Sequence, residues 1–377
     1  MAPMVDFLIV GGIAAVVTLL LTPLSRIVAF KVGAIAEPDQ RKMHAKPTPS
    51  LGGLAMLGGI GAGLLAAWLM GSFGPVFRST TDIAGIIVAG VIIFLVGATD
   101  DIRDVSAPAK VAGIVLAGVV LAMAGVSVLW FRLPFAGFIQ LSPDLSVVVT
   151  VLWLLVMANA VNLIDGLDGL AGGIVAIASG TFFVYAFQLG QDGVLFDSNP
   201  GALLAVITAG VCIGFLPLNI NPAKTFMGDG GALLLGLMLA ASTATVGGRL
   251  DQAVSGQVFF FFAPLVIPLL LLGVPLADLI LAVVRRATRK GVSIATADKE
   301  HLHHRLLRLG HGHRRTVFIL WLWTALLCGL VLYSTLTGSG AAALPFAGGA
   351  LALGLYTIFH PGVGSAPDVD PRSVESR

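Results

Sequence analysis

Charge is the first thing this sequence lacks. Only 11% of its 377 residues are Asp, Glu, Lys or Arg, against roughly a quarter in a soluble globular domain, which excludes an ordinary water-soluble fold. Cysteine is nearly absent: Cys212 and Cys328 each sit inside an apolar run, read as small core residues, and imply no disulfide framework. No Lys or Arg precedes Arg26, so the first apolar run lacks the basic flank of a cleaved signal peptide and is expected to remain as a helix. The apolar runs lack the alternation of barrel strands, and no internal repeat is visible. What is abundant is hydrophobic residue, 57% of the chain, gathered in stretches of about 20 residues that can each cross about 30 Å of hydrocarbon. Backbone in hydrocarbon must satisfy its own hydrogen bonds, so these stretches are expected to be helices.

The expectation is an all-α polytopic membrane protein with about eleven transmembrane helices. They fall near 5–30, 51–71, 83–99, 109–130, 145–164, 169–189, 201–219, 231–248, 256–284, 316–337 and 341–360. The ninth is too long for a straight crossing and carries Pro264, Pro268 and Pro275, so it should be kinked or split. With the N-terminus outside, 19 of the 22 basic residues fall on the inner side, and only Arg78, Arg132 and Arg249 fall outside. That bias sets the orientation and puts the C-terminus in the cytoplasm. Residues 1–360 read as one transmembrane catalytic domain, with the cytoplasmic loops 31–50, 100–109, 165–168 and 220–231 and the arm 285–315 forming its site. Residues 361–377 read as a disordered tail.

The acids follow the bases. Asp100, Asp101, Asp104, Asp165, Asp168, Asp229, Asp278, Asp298 and Glu300 all fall at the inner ends of spans or in inner loops. Acids contribute little to topology, so convergence of these loops on one site explains them better. The centre of the pattern is the stretch Asn159 to Leu170, where Asn159, Asn162, Asp165 and Asp168 recur every third residue after an apolar run. Each side chain lies about one helical turn from the last, and Gly166 and Gly169 let the helix open into a loop. The third span ends in the adjacent Asp100 and Asp101. Two such carboxylates remain ionised only near a cation; otherwise one becomes a candidate base, or the pair is simply a solvated helix end. Lys110 could anchor the next span or hold a phosphate as a point charge. The loop from Asn219 to Gly231 ends Gly228-Asp229-Gly230-Gly231 before an apolar helix, which offers an oxygen ligand and accessible N–H groups, or only a helix cap. Asp278 precedes Arg285 and Arg286 as a surface ion pair or a site-shaping acid. The arm carries His301, His303, His304 and Arg305, with His311 and His313 beyond. This spacing, with no cysteine nearby, does not match structural zinc sites. Binding of a diphosphate or of anionic lipid heads suits it better. Oxygen ligands for a hard divalent ion, cations for phosphates and a membrane-embedded groove together suit phosphoryl transfer to a lipid.

These residues resemble the polyprenyl-phosphate N-acetylhexosamine-1-phosphate transferases, which perform the first membrane step of cell-envelope glycan synthesis. The similarity runs from Lys46-Pro47-Thr48-Pro49-Ser50-Leu51-Gly52-Gly53 through the paired aspartates, the Asn159 to Leu170 stretch and Phe226 to Gly231, to the histidine arm, roughly residues 37–315 in the family's order. The resemblance implies Mg²⁺, with Mn²⁺ as a substitute, held by Asp229 and Asn162. It implies Asp100, Asp101 and Asp229 as catalytic residues, with Asp100 deprotonating or orienting the carrier phosphate. Lys46 and Lys110 would contact that phosphate. Asn159, Asp165, Asp168, His301, His303, His304 and Arg305 would hold the sugar nucleotide. The translocase branch ends its arm in three consecutive histidines before Phe-Glu. Here the run is His301-Leu302-His303-His304-Arg305-Leu306 after Ala297-Asp298, which is similar to the UDP-GlcNAc branch. Gly231 stands where many relatives have Ser.

The implied activity is transfer of GlcNAc-1-phosphate from UDP-GlcNAc to undecaprenyl or decaprenyl phosphate in the bacterial inner membrane, at its cytoplasmic face. The implied partners are UDP-GlcNAc, the lipid carrier and the membrane, with no nucleic acid and a homodimer left open. UDP-MurNAc-pentapeptide or UDP-GalNAc as the sugar nucleotide stays an alternative. A transporter or flippase is a remoter one, since it predicts ionisable residues near the bilayer midplane and an internal repeat.

Overall fold

The computed structural model describes residues 1–36, 47–78, 81–133, 137–247, 309–337 and 343–359, with isolated positions between 273 and 307. The chain is an all-α polytopic membrane protein. Its helices are α1 (Met4–Val32), α2 (Gly52–Leu69), α3 (Gly74–Arg78), α4 (Asp82–Arg103), α5 (Ala107–Met123), α6 (Pro143–Ile164), α7 (Leu170–Gln191), α8 (Gly201–Asn219), α9 (Gly228–Gly247), α10 (His313–Thr337) and α11 (Ala343–Phe359). Among the described residues, eight helices are long and apolar enough to cross a membrane, and α5 and α11 are shorter apolar helices. Ten of the eleven expected spans thus coincide with helices. Of the expected kinked span 256–284 only isolated positions are described, and the arm from Arg285 to Arg305 and the tail 361–377 lie outside the described residues.

The core is built around α9, buried from Gly230 to Gly247 and packed by α2, α4, α6 and α8. Helix α1 lies against α2 and α8, α7 joins α8 to α10, and α11 packs on α10. The buried hydroxyls of α1 are satisfied within their own helix: Thr18, Thr22 and Ser25 donate to the carbonyls of Ala14, Thr18 and Thr22. Exposed Leu8, Leu20 and Phe30 on the same helix face outward, as a lipid-facing surface requires.

Two span ends differ most from the sequence expectation. Helix α4 continues to Arg103 and is closed by Asp104 at φ 47°, so Asp100 and Asp101 ride on its last turns instead of a loop. Helix α5 ends at Met123, short of the expected 130, and Gly125 at φ 100° turns the chain away from the helix. There a two-stranded antiparallel ribbon, Trp130–Leu133 paired with Gly137–Gln140, replaces the end of the expected span. A shorter ribbon pairs Ile35–Ala36 with Thr48–Pro49. Apolar content misled the reading, because Val126 to Leu133 is hydrophobic enough for a helix but follows a glycine that stops one.

Candidate active site

The described candidate side chains gather at one end of the bundle, where α4 and α6 end and α5 and α9 begin. The Asp229 carboxylate, in the first turn of α9, is the hub. Its Oδ1 accepts a hydrogen bond of 2.8 Å from the Asn162 amide in the last turn of α6. Its Oδ2 pairs with the Lys110 ammonium from the start of α5. Lys110 also donates to Asp100 Oδ2 at 2.9 Å, while Asp100 Oδ1 accepts from the Val105 N–H at 2.7 Å. Asp101 turns to α9, accepting from the N–H groups of Asp229 and Gly230 at 2.9 and 3.1 Å. Residues of four helices, far apart in sequence, thus form one continuous polar cluster.

Backbone contact makes this convergence tight. Gly53 at the start of α2 lies against the backbone of Gly230 and Gly231, and Gly97 of α4 lies against Asp229 and Gly230. A side chain at either glycine would separate the helices, so small residues here permit the close approach. The segment before α2 is stitched to the segment before α9. Phe226 N–H and the Thr225 hydroxyl donate to the Pro49 carbonyl, while Gly52 and Gly53 N–H donate to the carbonyls of Phe226 and Met227. This gives the Pro49 to Gly53 part of the motif a structural role, holding the loop that delivers Asp229. Lys46 itself lies outside the described residues.

The turn between α6 and α7 flanks the hub. Asp165 caps α6, and Gly169 enters α7 at φ 80°. Burial, reinforced by the charges of Asp101 and Asp168, pushes the Asp165 carboxyl up to about 7. Asp168 Oδ2 accepts from the Asn221 amide and the Ala223 N–H, which ties this turn to the α8–α9 loop. Asn159 donates back to the Leu155 carbonyl of its own helix. His301, His303, His304 and Arg305 lie outside the described residues. His311 does not join the cluster: it is 2% exposed, and its Nε2 lies 3.0 Å from the Thr357 carbonyl of α11.

Sequence reading missed three supports. Asn219 accepts from Gly169 N–H and donates to the Thr225 carbonyl, which joins the two loops. The Asn221 carbonyl accepts from Arg314 at 2.9 Å, tying in the start of α10. Thr225 is the third. Asn219 carried the signal that marked Asn159 and Asn162, a polar residue closing an apolar run, whereas Thr225, between Lys224 and Phe226, carried none.

The cluster suits a hard divalent ion. Asp229 offers carboxylate oxygens, Asn162 offers an amide oxygen when its side chain is turned about, and the lysine ammonium between Asp100 and Asp229 marks a place where positive charge is stabilised. Among the described residues, no three His, Cys, Asp or Glu side chains are placed to hold a metal ion together. A site with few protein oxygens fits Mg²⁺, which keeps waters and substrate phosphates as its other ligands.

Fold and site together define a multi-pass membrane protein with a carboxylate, lysine and carboxamide centre at one helix-end surface. The sequence model of glycosyl transferase family 4 matches residues 83–247, from α4 to the end of α9. The chain is 38% identical to the decaprenyl-phosphate N-acetylglucosaminephosphotransferase of Mycolicibacterium smegmatis, over 86% of this chain and 81% of the relative. It is 34% identical to the probable undecaprenyl-phosphate N-acetylglucosaminyl 1-phosphate transferase of Bacillus subtilis, over 84% and 81%. It is 31% identical to the phospho-N-acetylmuramoyl-pentapeptide-transferase of Mycobacteroides abscessus, over 87% and 96%. The chain belongs to glycosyl transferase family 4.

Proposed function

We propose that this chain transfers N-acetylglucosamine-1-phosphate from UDP-GlcNAc to a polyprenyl phosphate, giving polyprenyl-diphosphate-GlcNAc and UMP, and so initiates a cell-envelope polysaccharide. The observation that carries this reading is the convergence of Asp100, Lys110 and Asn162 on Asp229, in a chain whose similar relatives include polyprenyl-phosphate N-acetylglucosamine phosphotransferases. The site lies on the cytoplasmic face of the plasma membrane, in keeping with the distribution of basic residues.

Each residue has a task in this reading. Lys110, held from two sides, presents its ammonium to the carrier phosphate and neutralises part of its charge. Asp100 fixes that lysine and accepts the proton, or orients the oxygen, of the attacking phosphate. An oxygen of the carrier phosphate then forms a bond to the β-phosphorus of the sugar nucleotide as the bond from that phosphorus to the bridging oxygen breaks, and UMP leaves with the electron pair. Asp229 and Asn162 would hold Mg²⁺, which when bound supplies neutralisation of the diphosphate charge. Asp165 and Asp168 shape the nucleotide side, and the arm from His301 to Arg305 grips the diphosphate. Catalysis on this account is positioning plus charge neutralisation.

The reaction class is tested with UDP-GlcNAc labelled with ³²P in its β-phosphate. Purified chain, polyprenyl phosphate and Mg²⁺ are expected to move the label into lipid together with the sugar, leaving unlabelled UMP. Label retained in UDP, with sugar alone in the lipid, would overturn the phosphoryl-transfer reading.

A further inference from the structure

The adjacent aspartates at the end of α4 face different helices. Asp100 reaches α5, with Lys110 on one oxygen and the Val105 N–H on the other. Asp101, about 100° further round the helix, reaches α9 and accepts from two successive backbone N–H groups, those of Asp229 and Gly230. The first turn of a helix leaves its N–H groups without intrahelical partners, and its end of the dipole favours negative charge. A helix normally answers this with its own capping side chain. Here Phe226, Met227 and Gly228 precede Asp229 and offer none, and Gly228 stands at φ 68°. The cap comes instead from a neighbouring helix. Gly97, one turn before Asp101, lies against the backbone of Asp229 and Gly230. Helices α4 and α9 therefore meet with no side chain between them, and the cap has little slack.

The residue whose N–H Asp101 holds is also the residue whose carboxylate meets Asn162 and Lys110. We infer that Asp101 is the positioning residue of the centre: it sets the direction of the Asp229 carboxylate through the backbone of α9 and touches neither substrate nor ion. Both its oxygens are engaged by α9, whereas Asp100 gives one oxygen to the lysine and the other to the Val105 N–H. The pair of aspartates therefore divides into one residue that faces the reacting phosphate through Lys110 and one that aims the metal ligand. This inference rests on the reading of Asp229 as a metal ligand.

The test is Mn²⁺ binding to the purified full chain, read by the electron paramagnetic resonance of free Mn²⁺ with no lipid carrier present. Wild type, Asp101→Asn, Asp101→Ala and Asp229→Asn are compared, with thermal unfolding and steady-state kinetics on each. Residues that orient a metal ligand typically control affinity by about 10- to 100-fold. Asp101→Ala is expected to weaken Mn²⁺ binding by about that factor and to raise the Mg²⁺ needed for half-maximal rate in parallel. KM for UDP-GlcNAc at saturating metal should stay within about threefold of wild type. Asp101→Asn keeps one acceptor oxygen and should fall between, and it carries the test alone if the alanine variant does not fold. A lowered melting temperature with wild-type Mn²⁺ affinity would make Asp101 merely structural and overturn the inference. Loss of kcat at saturating metal with unchanged affinity would place it in the chemistry and overturn it too. If wild type binds no Mn²⁺ and Asp229→Asn remains active, the metal reading itself fails, and this inference with it.

Discussion

Lys110 holds two carboxylates at once, and that single contact explains much of the centre. Without it, Asp100 and Asp229 would face each other as like charges in a partly buried cluster with no cation between them to offset the repulsion. Asp165, at the end of α6, pairs with no cation among the described residues, and burial and the charges of Asp101 and Asp168 push it up to about 7. The consequence for stability has a definite sign. The folded chain keeps a proton on Asp165 that the unfolded chain, with its carboxyl near 3.8, has released. Stability from this group is therefore highest below about pH 4 and falls as pH rises towards 7, by at most about 1.4 kcal/mol per pH unit. Asp165→Asn should remove that slope, so its melting temperature in detergent should gain on wild type progressively between about pH 4 and 7. Parallel curves across that window would contradict the placement of the Asp165 proton. The identities of Asp100, Asp101, Asn162, Asp165 and Asp229 were legible in the sequence because polar groups at the ends of apolar runs need a reason. Their pairing was not. The bond from Asp229 N–H to Asp101 spans 128 residues, and no local pattern announces a helix capped by its neighbour.

At the scale of the elements, the site depends on how closely α2, α4 and α9 approach. Gly97→Ala would drive a methyl group into the backbone of Asp229 and Gly230, where no flexible side chain can yield. Overpacking of that kind costs about 1 to 3 kcal/mol, and here the displaced element carries the hub carboxylate. Gly97→Ala should therefore lower both the melting temperature and the rate, whereas Gly61→Ala, with no atom near its added carbon, should leave the rate unchanged. Equal behaviour of the two variants would show that the α4–α9 contact is not limiting. Helix existence was readable from runs of apolar residues, and α8 was placed at both ends. Boundaries failed where the chain kept its hydrophobicity while changing its backbone. The Trp130–Leu133 ribbon follows Gly125, and the last turns of α4 run on through charged residues that read as a loop. Glycine contacts between helices were also hidden, because a glycine that packs and a glycine that merely pads a membrane helix look alike in sequence.

Across the whole molecule, the described acids and bases of the long helices sit near helix ends: Asp6 and Lys31 in α1, Asp82 and Arg103 in α4, Asp144 in α6 and Asp229 in α9. That distribution suits a surface centre at one end of a bundle and does not suit a transport path, which needs ionisable groups near the bilayer midplane. The buried α9 acts as the axis, and three separate loops are tied to one another by Pro49, Asp168 and Asn219 before any substrate arrives. Such preorganisation is what phosphoryl transfer by positioning requires. The central claim is a metal-dependent transfer of N-acetylglucosamine-1-phosphate to a lipid phosphate, and one measurement tests it most directly. Purified chain is given polyprenyl phosphate with sugar-labelled UDP-GlcNAc, UDP-GalNAc or UDP-MurNAc-pentapeptide in turn, each with Mg²⁺ or with EDTA. The expected result is label entering lipid from UDP-GlcNAc alone, and only with Mg²⁺. Transfer from another sugar nucleotide would contradict the substrate, transfer in EDTA would contradict the metal, and no transfer from any of them by a folded chain would contradict the function.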